Sequence, residues 1–149
     1  MKSESTFDFH IRWAWARISR LYNQQAAEYG GTMSIGYVLL NIDREGTPST
    51  KLGPKMGMES RSLTRTLKSM EQLGLIERKA DETDRRMVRV FLTEEGKRVR
   101  DISRQRVLHL NTHVLDNWGE DKTAQFIGLL QEFNELLEDE DIFEKNTSA

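Results

Sequence analysis

A chain of 149 residues with 37% hydrophobic and 31% charged residues and a net charge of −2 has the size of one compact domain, or of a small domain carrying helical extensions, and the composition of a folded, heavily solvated protein. That composition excludes a disordered chain, and no apolar run approaches the roughly 20 residues that span a bilayer. With no cysteine, disulfides, thiolate metal sites, cysteine nucleophiles and thiol-based redox sensing are excluded as well.

From Phe9 to Tyr29 the apolar residues Ile11, Trp15, Ile18, Tyr22 and Tyr29 recur at helical spacing, which predicts a first helix ended by Gly30-Gly31. Thr32 or Ser34 can cap a second helix that buries Ile35, Val38, Leu39 and Ile42, and Glu45-Gly46-Thr47-Pro48 ends it. Ser49 to Met56 reads as a short or kinked helix, because Gly53-Pro54 interrupts the hydrogen-bond ladder. After Gly57-Met58-Glu59, the segment Ser60 to Leu73 predicts a fourth helix with Leu63, Leu67, Met70 and Leu73 on its buried face. The opposite face carries Arg61, Ser62, Thr64, Arg65 and Lys68, all hydrogen-bond donors and none acidic.

Residues 75–79 and 87–92 alternate as two short strands around the polar loop 80–86, which is too long for a two-residue turn and so projects from the body. Thr93 followed by Glu94-Glu95 starts a long helix to about Asn117, broken at Trp118-Gly119. The last helix, about Asp121 to Glu138, is acidic but carries a wide apolar stripe that includes Phe126, Ile127, Leu130 and Phe133. From Asp139 onward the chain reads as a frayed polar tail. The opening MKSESTFDFH lacks the order of a secretory signal, so a cytoplasmic location is expected.

The small net charge conceals a partition. Residues 51–106 hold 15 Lys and Arg against 9 Asp and Glu, whereas the rest of the chain is acidic. A basic middle can meet phosphates while the acidic ends serve another purpose; a merely solvated surface explains the charge equally well. What separates the two is arrangement. A helix, a tight glycine turn, a second helix with a polar outer face and a hairpin with a basic tip match the grooves of duplex DNA, where one helix fills the major groove and an arginine-bearing loop reaches the minor one.

The pieces Leu52, Met56-Gly57, Leu63-Thr64-Arg65, Leu73-Gly74-Leu75-Ile76, Asp84-Arg85-Arg86 and Leu92-Thr93-Glu94-Glu95-Gly96 resemble the MarR (multiple antibiotic resistance regulator) family in order and spacing over about residues 47–97. The resemblance implies a mainly α fold with a small two- or three-stranded β wing: a winged helix-turn-helix over residues 32–97, with helices in 1–31 and 98–149 forming a dimerisation region. It further implies a homodimer that reads an inverted repeat in double-stranded DNA, commonly as a repressor released by small aromatic ligands, metal or oxidants. Carried over by position, Ser60, Arg61, Ser62, Thr64 and Arg65 face the major groove, Lys51, Lys55 and Lys68 meet phosphates, and Asp84 orients Arg85 or Arg86 into the minor groove. His10, Trp13, Trp15, Tyr22 and Tyr37 lie on the two helices that border the family's ligand pocket, although aromatics at such spacing also serve as core. Glu59 stands where the family often has a serine cap, Arg61 where it often has proline, and Gly53-Pro54 also departs from the pattern.

His109, His113 and Asp116, at i, i+4 and i+7, offer one helical face for a metal-responsive alternative, against the plainer reading of polar groups at a dimer surface. No cofactor is expected. No nucleophile–base pair, phosphate-binding glycine loop or HExxH motif is present, so the expectation is not an enzyme. The remaining rival is a winged-helix module used for protein–protein contact without DNA binding.

Overall fold

The computed structural model describes residues 1–144, and among them six α-helices and one three-stranded sheet follow in the order α1 (Phe7–Ala26), α2 (Met33–Asn41), β1 (Thr47–Pro48), α3 (Ser49–Met56), α4 (Ser60–Gln72), β2 (Ile76–Ala80), β3 (Val88–Leu92), α5 (Glu94–Trp118) and α6 (Glu120–Leu136). The expected tail residues 145–149 lie outside the described part. Two compact units divide the chain, residues 1–107 and 108–149, so the boundary falls within α5.

In the first unit, a short 3-10 turn after α1 ends at Gly30, whose φ of 72° is the left-handed conformation that glycine adopts without strain. The side chain of Thr32, rather than Ser34, caps α2 by accepting from the Ile35 N–H, and Asn23 on α1 accepts from the Met33 N–H. Pro54 lies inside α3 and does not break it. The helix is only eight residues long, and Gly57 in the left-handed conformation closes it with N–H bonds back to Gly53 and Pro54.

Antiparallel β2 and β3 pair from Ile76↔Leu92 to Ala80↔Val88, and β1 adds to the outer edge of β3 through Thr47↔Val90 and Pro48↔Arg89. An edge position is where a sheet tolerates proline, because the missing N–H falls outside the ladder. The arrangement is a winged helix-turn-helix: α2, α3 and α4 form the helical part and the β2–β3 hairpin forms the wing.

One hydrophobic core joins these elements. Ile35, Val38, Leu39 and Ile42 from the α2 segment meet Leu52 from α3, Leu63, Leu67 and Met70 from α4, Leu75, Ile76 and Val90 from the sheet, and Val99 from α5. The expected fourth core position of α4 is different: Leu73 is 42% exposed. It is the residue at which α4 ends, and the chain turns at Gly74 (φ 70°), so burial passes to Leu75.

The stripe expected on α1 is also left open. Only Ala26 of its 20 residues is buried, while Ile11, Trp13, Trp15 and Leu21 are exposed. In the second unit, α6 has no buried residue at all, and Phe126, Ile127, Leu129, Leu130 and Leu136 face outward.

The tightest junction lies where the wing returns to α5. Thr93 donates its hydroxyl to the Gly74 carbonyl (2.6 Å), accepts from the Gly96 N–H (3.0 Å), and donates its own N–H to the Leu75 carbonyl (3.1 Å). A Cβ on Gly96 would fall on that same Leu75 carbonyl oxygen. Backbone against backbone cannot yield as a side chain can. Gly96→Ala is therefore expected to lower stability by about 2 kcal/mol or more, despite alanine's better helix propensity; urea melts of the two proteins check this, and an unchanged or raised midpoint would refute it.

Candidate nucleic-acid interface

Burial decides which residues α4 presents. Leu63, Leu67 and Met70 point into the core, and Ser60, Arg61, Ser62, Thr64, Arg65 and Lys68 are all exposed. Arg61, Arg65 and Lys68 have no ion-pair or hydrogen-bonding side-chain partner among the described residues. An exposed helix face with three unneutralised cations and no carboxylate until Glu71 concentrates positive potential. Glu71 itself is engaged with Arg78 of β2.

The hydroxyls on this helix have a fixed polarity. Thr64 donates to the Ser60 carbonyl (2.9 Å), Thr66 to that of Ser62 (2.8 Å) and Ser69 to that of Arg65 (3.2 Å). With their protons turned back along the helix, the oxygens offer lone pairs outward. The helix thus presents guanidinium donors beside hydroxyl acceptors. A groove of about 650 Å³ runs along one flank, bordered by Ser62, Arg65 and Ser69 on α4 and by Thr32 and Ser34 at the start of α2.

The α3 lysines differ from each other. Lys51 is exposed and without a side-chain partner among the described residues, whereas Lys55 donates to the Asn41 carbonyl (3.1 Å) and lies 3.5 Å from the Asp43 carboxylate. Lys55 therefore ties α3 to the end of α2 in this structure.

In the wing, Asp84, Arg85 and Arg86 are exposed at the tip. Asp84 meets Arg86 only through its backbone, accepting the Arg86 N–H at 3.1 Å, and both arginine side chains are without a partner among the described residues. The residue that holds the loop is Asp81, which the sequence reading passed over. Its Oδ1 accepts from the Thr83 N–H (2.9 Å), the Thr83 hydroxyl (2.6 Å) and the Asp84 N–H (3.1 Å), and its Oδ2 from Arg89 Nε at 2.8 Å.

Arg89 in turn donates through Nη1 to the Gly46 carbonyl at 2.8 Å, so the base of the wing is stapled to the loop before β1. The Thr83 hydroxyl, the Arg89 guanidinium and the two backbone N–H groups hold the Asp81 carboxyl well below the usual carboxylate range, against the opposing effect of burial. A depressed carboxylate contributes its full stabilisation above its unfolded value and loses it only as pH falls from there. At neutral pH the staple is fully charged. Its sequence signal was an aspartate two residues before a threonine and three before another aspartate, the spacing of an Asx turn.

The five residues placed near a ligand pocket separate into two groups. Tyr22 and Tyr37 line an apolar cavity with Tyr29, Met33, Leu40 and Arg106, whereas His10, Trp13 and Trp15 do not. Trp15 stacks on Tyr37 at 6.3 Å, Trp13 meets Arg17 and Phe9, and the His10 ring bonds the Glu4 carbonyl. The cavity is small, about 30 Å³, room for one or two waters. Burial raises the Tyr22 and Tyr37 hydroxyls above their ordinary pKa, with Tyr37 adding to the effect on Tyr22. Arg106 reaches Glu28 at 3.3 Å, and Tyr29 and Ser103 approach to 3.5 Å. Tyr29, Ser103 and Arg106 are distant in sequence, and only the fold brings them together. As for His109, His113 and Asp116, no group of three His, Cys, Asp or Glu placed to hold a metal occurs among the described residues.

Comparison with known proteins shows what the chain is similar to. Residues 37–88, which run from α2 into the wing, match the MarR family model. The chain is 44% identical over 59 residues to the organic hydroperoxide resistance transcriptional regulator of Bacillus subtilis, covering 40% of each chain. It is 33% identical over 87 residues to the HTH-type transcriptional regulator SarZ of Staphylococcus epidermidis, covering 57% of this chain and 58% of that one. The matched part thus spans about half the length of these curated relatives.

Over most of the chain the fold is shared with solved structures at lower identity. PcaV of Streptomyces coelicolor, solved with its natural ligand, superposes with a TM-score of 0.78 at 21% identity, over 91% of this chain and 96% of that one. MepR of S. aureus, solved in complex with DNA, gives 0.82 at 16% identity, over 89% and 98%. With the family model seated on the helix-turn-helix and wing, the curated relatives named as transcriptional regulators, and the fold over most of the chain shared with MarR structures, residues 37–88 are similar to the MarR family and the fold is that of its solved members.

Proposed function

We propose that this protein is a transcriptional regulator that binds double-stranded DNA sequence-specifically, as a homodimer on an inverted repeat, and represses until a small molecule releases it in the cytoplasm. One observation carries the DNA reading: the exposed face of α4 holds Arg61, Arg65 and Lys68 without an ion-pair partner among the described residues, the helix's one carboxylate, Glu71, being engaged with Arg78. A helix used only for protein contact has no need of that imbalance. On this reading α4 enters the major groove with Ser60, Arg61, Ser62, Thr64 and Arg65, while Lys51 and Lys68 meet phosphates. Arg85 or Arg86 enters the minor groove, presented by a loop that Asp81 and Arg89 hold in shape. The solved DNA complex of the similarly folded MepR supports the same use of the fold.

The dimer rests on unburied apolar surface. The outward residues of α1 and the stripe along α6 belong to helices that contribute almost nothing to the core, and a second copy is the partner that buries them. The effector reading is supported by the tyrosine-lined cavity and by the ligand-bound structures of PcaV and of CouR, the latter with p-coumaroyl-CoA. At its present volume the cavity must widen before any such molecule enters, and widening it moves Tyr22, Tyr37 and Arg106 apart.

Two measurements test this reading. In fluorescence titrations with an inverted-repeat duplex selected from random sequence, affinity should fall by about three orders of magnitude between roughly 50 and 200 mM salt. Arg65→Ala should weaken binding by about tenfold to a hundredfold and relax the base preference at one position of each half-site, whereas Lys68→Ala should weaken all sequences alike. A flat salt response with an indifferent Arg65→Ala would leave the protein-contact module as the better account. Light scattering should give a mass near twice 17.3 kDa at micromolar concentration; a stable monomer would refute the dimer.

A further inference from the structure

The outer surface of the wing sheet carries a second basic site that the DNA reading does not use. Along β2 and β3, Ile76 and Val90 are buried in the core, while the cross-strand pair Glu77↔Phe91 and the next outward pair Lys79↔Arg89 lie on the other face. A cavity of about 340 Å³ opens on that face. Three stretches of chain supply it with cations: Arg44 from the loop after α2, Lys79 from β2, and Lys97 and Arg100 from the first two turns of α5. Phe91 lends an aromatic wall, with the Lys79 ammonium 5.5 Å from its ring centre. None of the lining residues belongs to α3, α4 or the wing tip.

Four cations and two carboxylates, Asp43 and Glu77, line the cavity, while Glu94 and Asp101, which pair with two of those cations, lie outside the lining. Asp43 is already shared with Lys55 (3.5 Å) and Thr47 (3.3 Å), and Glu77 with Lys79 (3.3 Å). Lys97 is held by Glu94 (2.6 Å), and Arg100 has only its exposed neighbour Asp101 at 3.3 Å. Arg44 has no hydrogen bond or ion pair among the described residues. Cations gathered from separate elements repel one another, and a dianion placed between them removes that penalty. Guanidinium groups match the paired oxygens of a phosphoryl group, and ammonium groups supply the remaining donors. The volume lies at the lower end of the range of small-molecule sites, roughly 300 Å³ upward.

We infer that this cavity binds the phosphoryl dianion of a small phosphorylated molecule, held by Arg44 and Arg100 with Lys79 and Lys97. The inference stands whether or not the protein regulates transcription, because it uses no residue of the DNA-facing surface.

Calorimetric titration of the full chain at fixed ionic strength, with pyrophosphate as the probe and malonate as a dicarboxylate of similar size, tests it. Pyrophosphate should bind saturably at one site per chain with a Kd of about 1 mM or tighter, and more tightly than malonate. Arg44→Gln and Arg100→Gln, both changes of surface side chains, should each weaken binding about tenfold, Lys97→Gln should weaken it to a lesser degree, and Arg65→Ala should leave it unchanged. The inference is overturned if pyrophosphate gives no saturable heat, if malonate binds equally well, or if Arg44→Gln binds as the parent does. It is equally overturned if duplex DNA displaces pyrophosphate competitively, since the same cations would then belong to the DNA surface.

Discussion

The burial of Leu63, Leu67 and Met70 beneath α4 is the constraint on which the other features depend. These three side chains fix the rotation of the helix about its own axis, and rotation decides what meets solvent. With the leucines and methionine locked against Leu39, Leu52 and Val90 in one core, the arginines and hydroxyls of α4 have only one direction in which to point. A helix turned by one residue, about 100°, would bring polar groups inward and apolar ones out, at a penalty far beyond what any surface contact returns. The proposed interface is thus a consequence of the core, which divides α4 between a face that stabilises the fold and a face open to a partner.

A second constraint acts at the wing. A hairpin with a long loop has little of its own to hold it, yet Asp81, Arg89 and the Gly46 carbonyl form a chain of charge-assisted hydrogen bonds from the wing base to the loop before β1. At the other end of the hairpin, Thr93 and the absence of a side chain at Gly96 let α5 pass directly over the Leu75 carbonyl. The exposed arginines at the tip have no side-chain partner among the described residues and stand on a hydrogen-bonded frame. That division favours recognition, because the entropy lost on binding is confined to a few rotatable bonds.

Much of this was legible in the sequence because it is periodic or local. The apolar spacing of α2 and α4, the turn at Gly57, the Thr93 start of α5 and the break at Gly119 are written within a few residues of where they act. What escaped is what depends on distant partners. Leu73 fits the helical repeat but falls where the chain leaves the helix, and repeat alone cannot mark that point. The α1 stripe is real as a pattern, yet only part of it is covered: Tyr22 lines the cavity and Trp15 stacks on Tyr37, while Ile11, Trp13 and Leu21 stay exposed. Asp81 looked like one more acid in a polar loop; its importance rests on Arg89 across the hairpin and on Gly46, 43 residues from Arg89 in the chain. Arg106 joins Tyr22 and Tyr37 for the same reason.

The central claim is that one side of the winged helix-turn-helix, defined by the outward face of α4 and the tip of the wing, is where duplex DNA sits. Backbone amide NMR of the protein with and without its operator duplex tests it most directly, because it maps contact without altering any residue. The account predicts that the largest shifts fall at residues 60–69 and 82–87, with the core amides of Val38, Leu39 and Met70 little changed. Shifts concentrated instead on α1 or α6, with α4 and the wing tip silent, would contradict it.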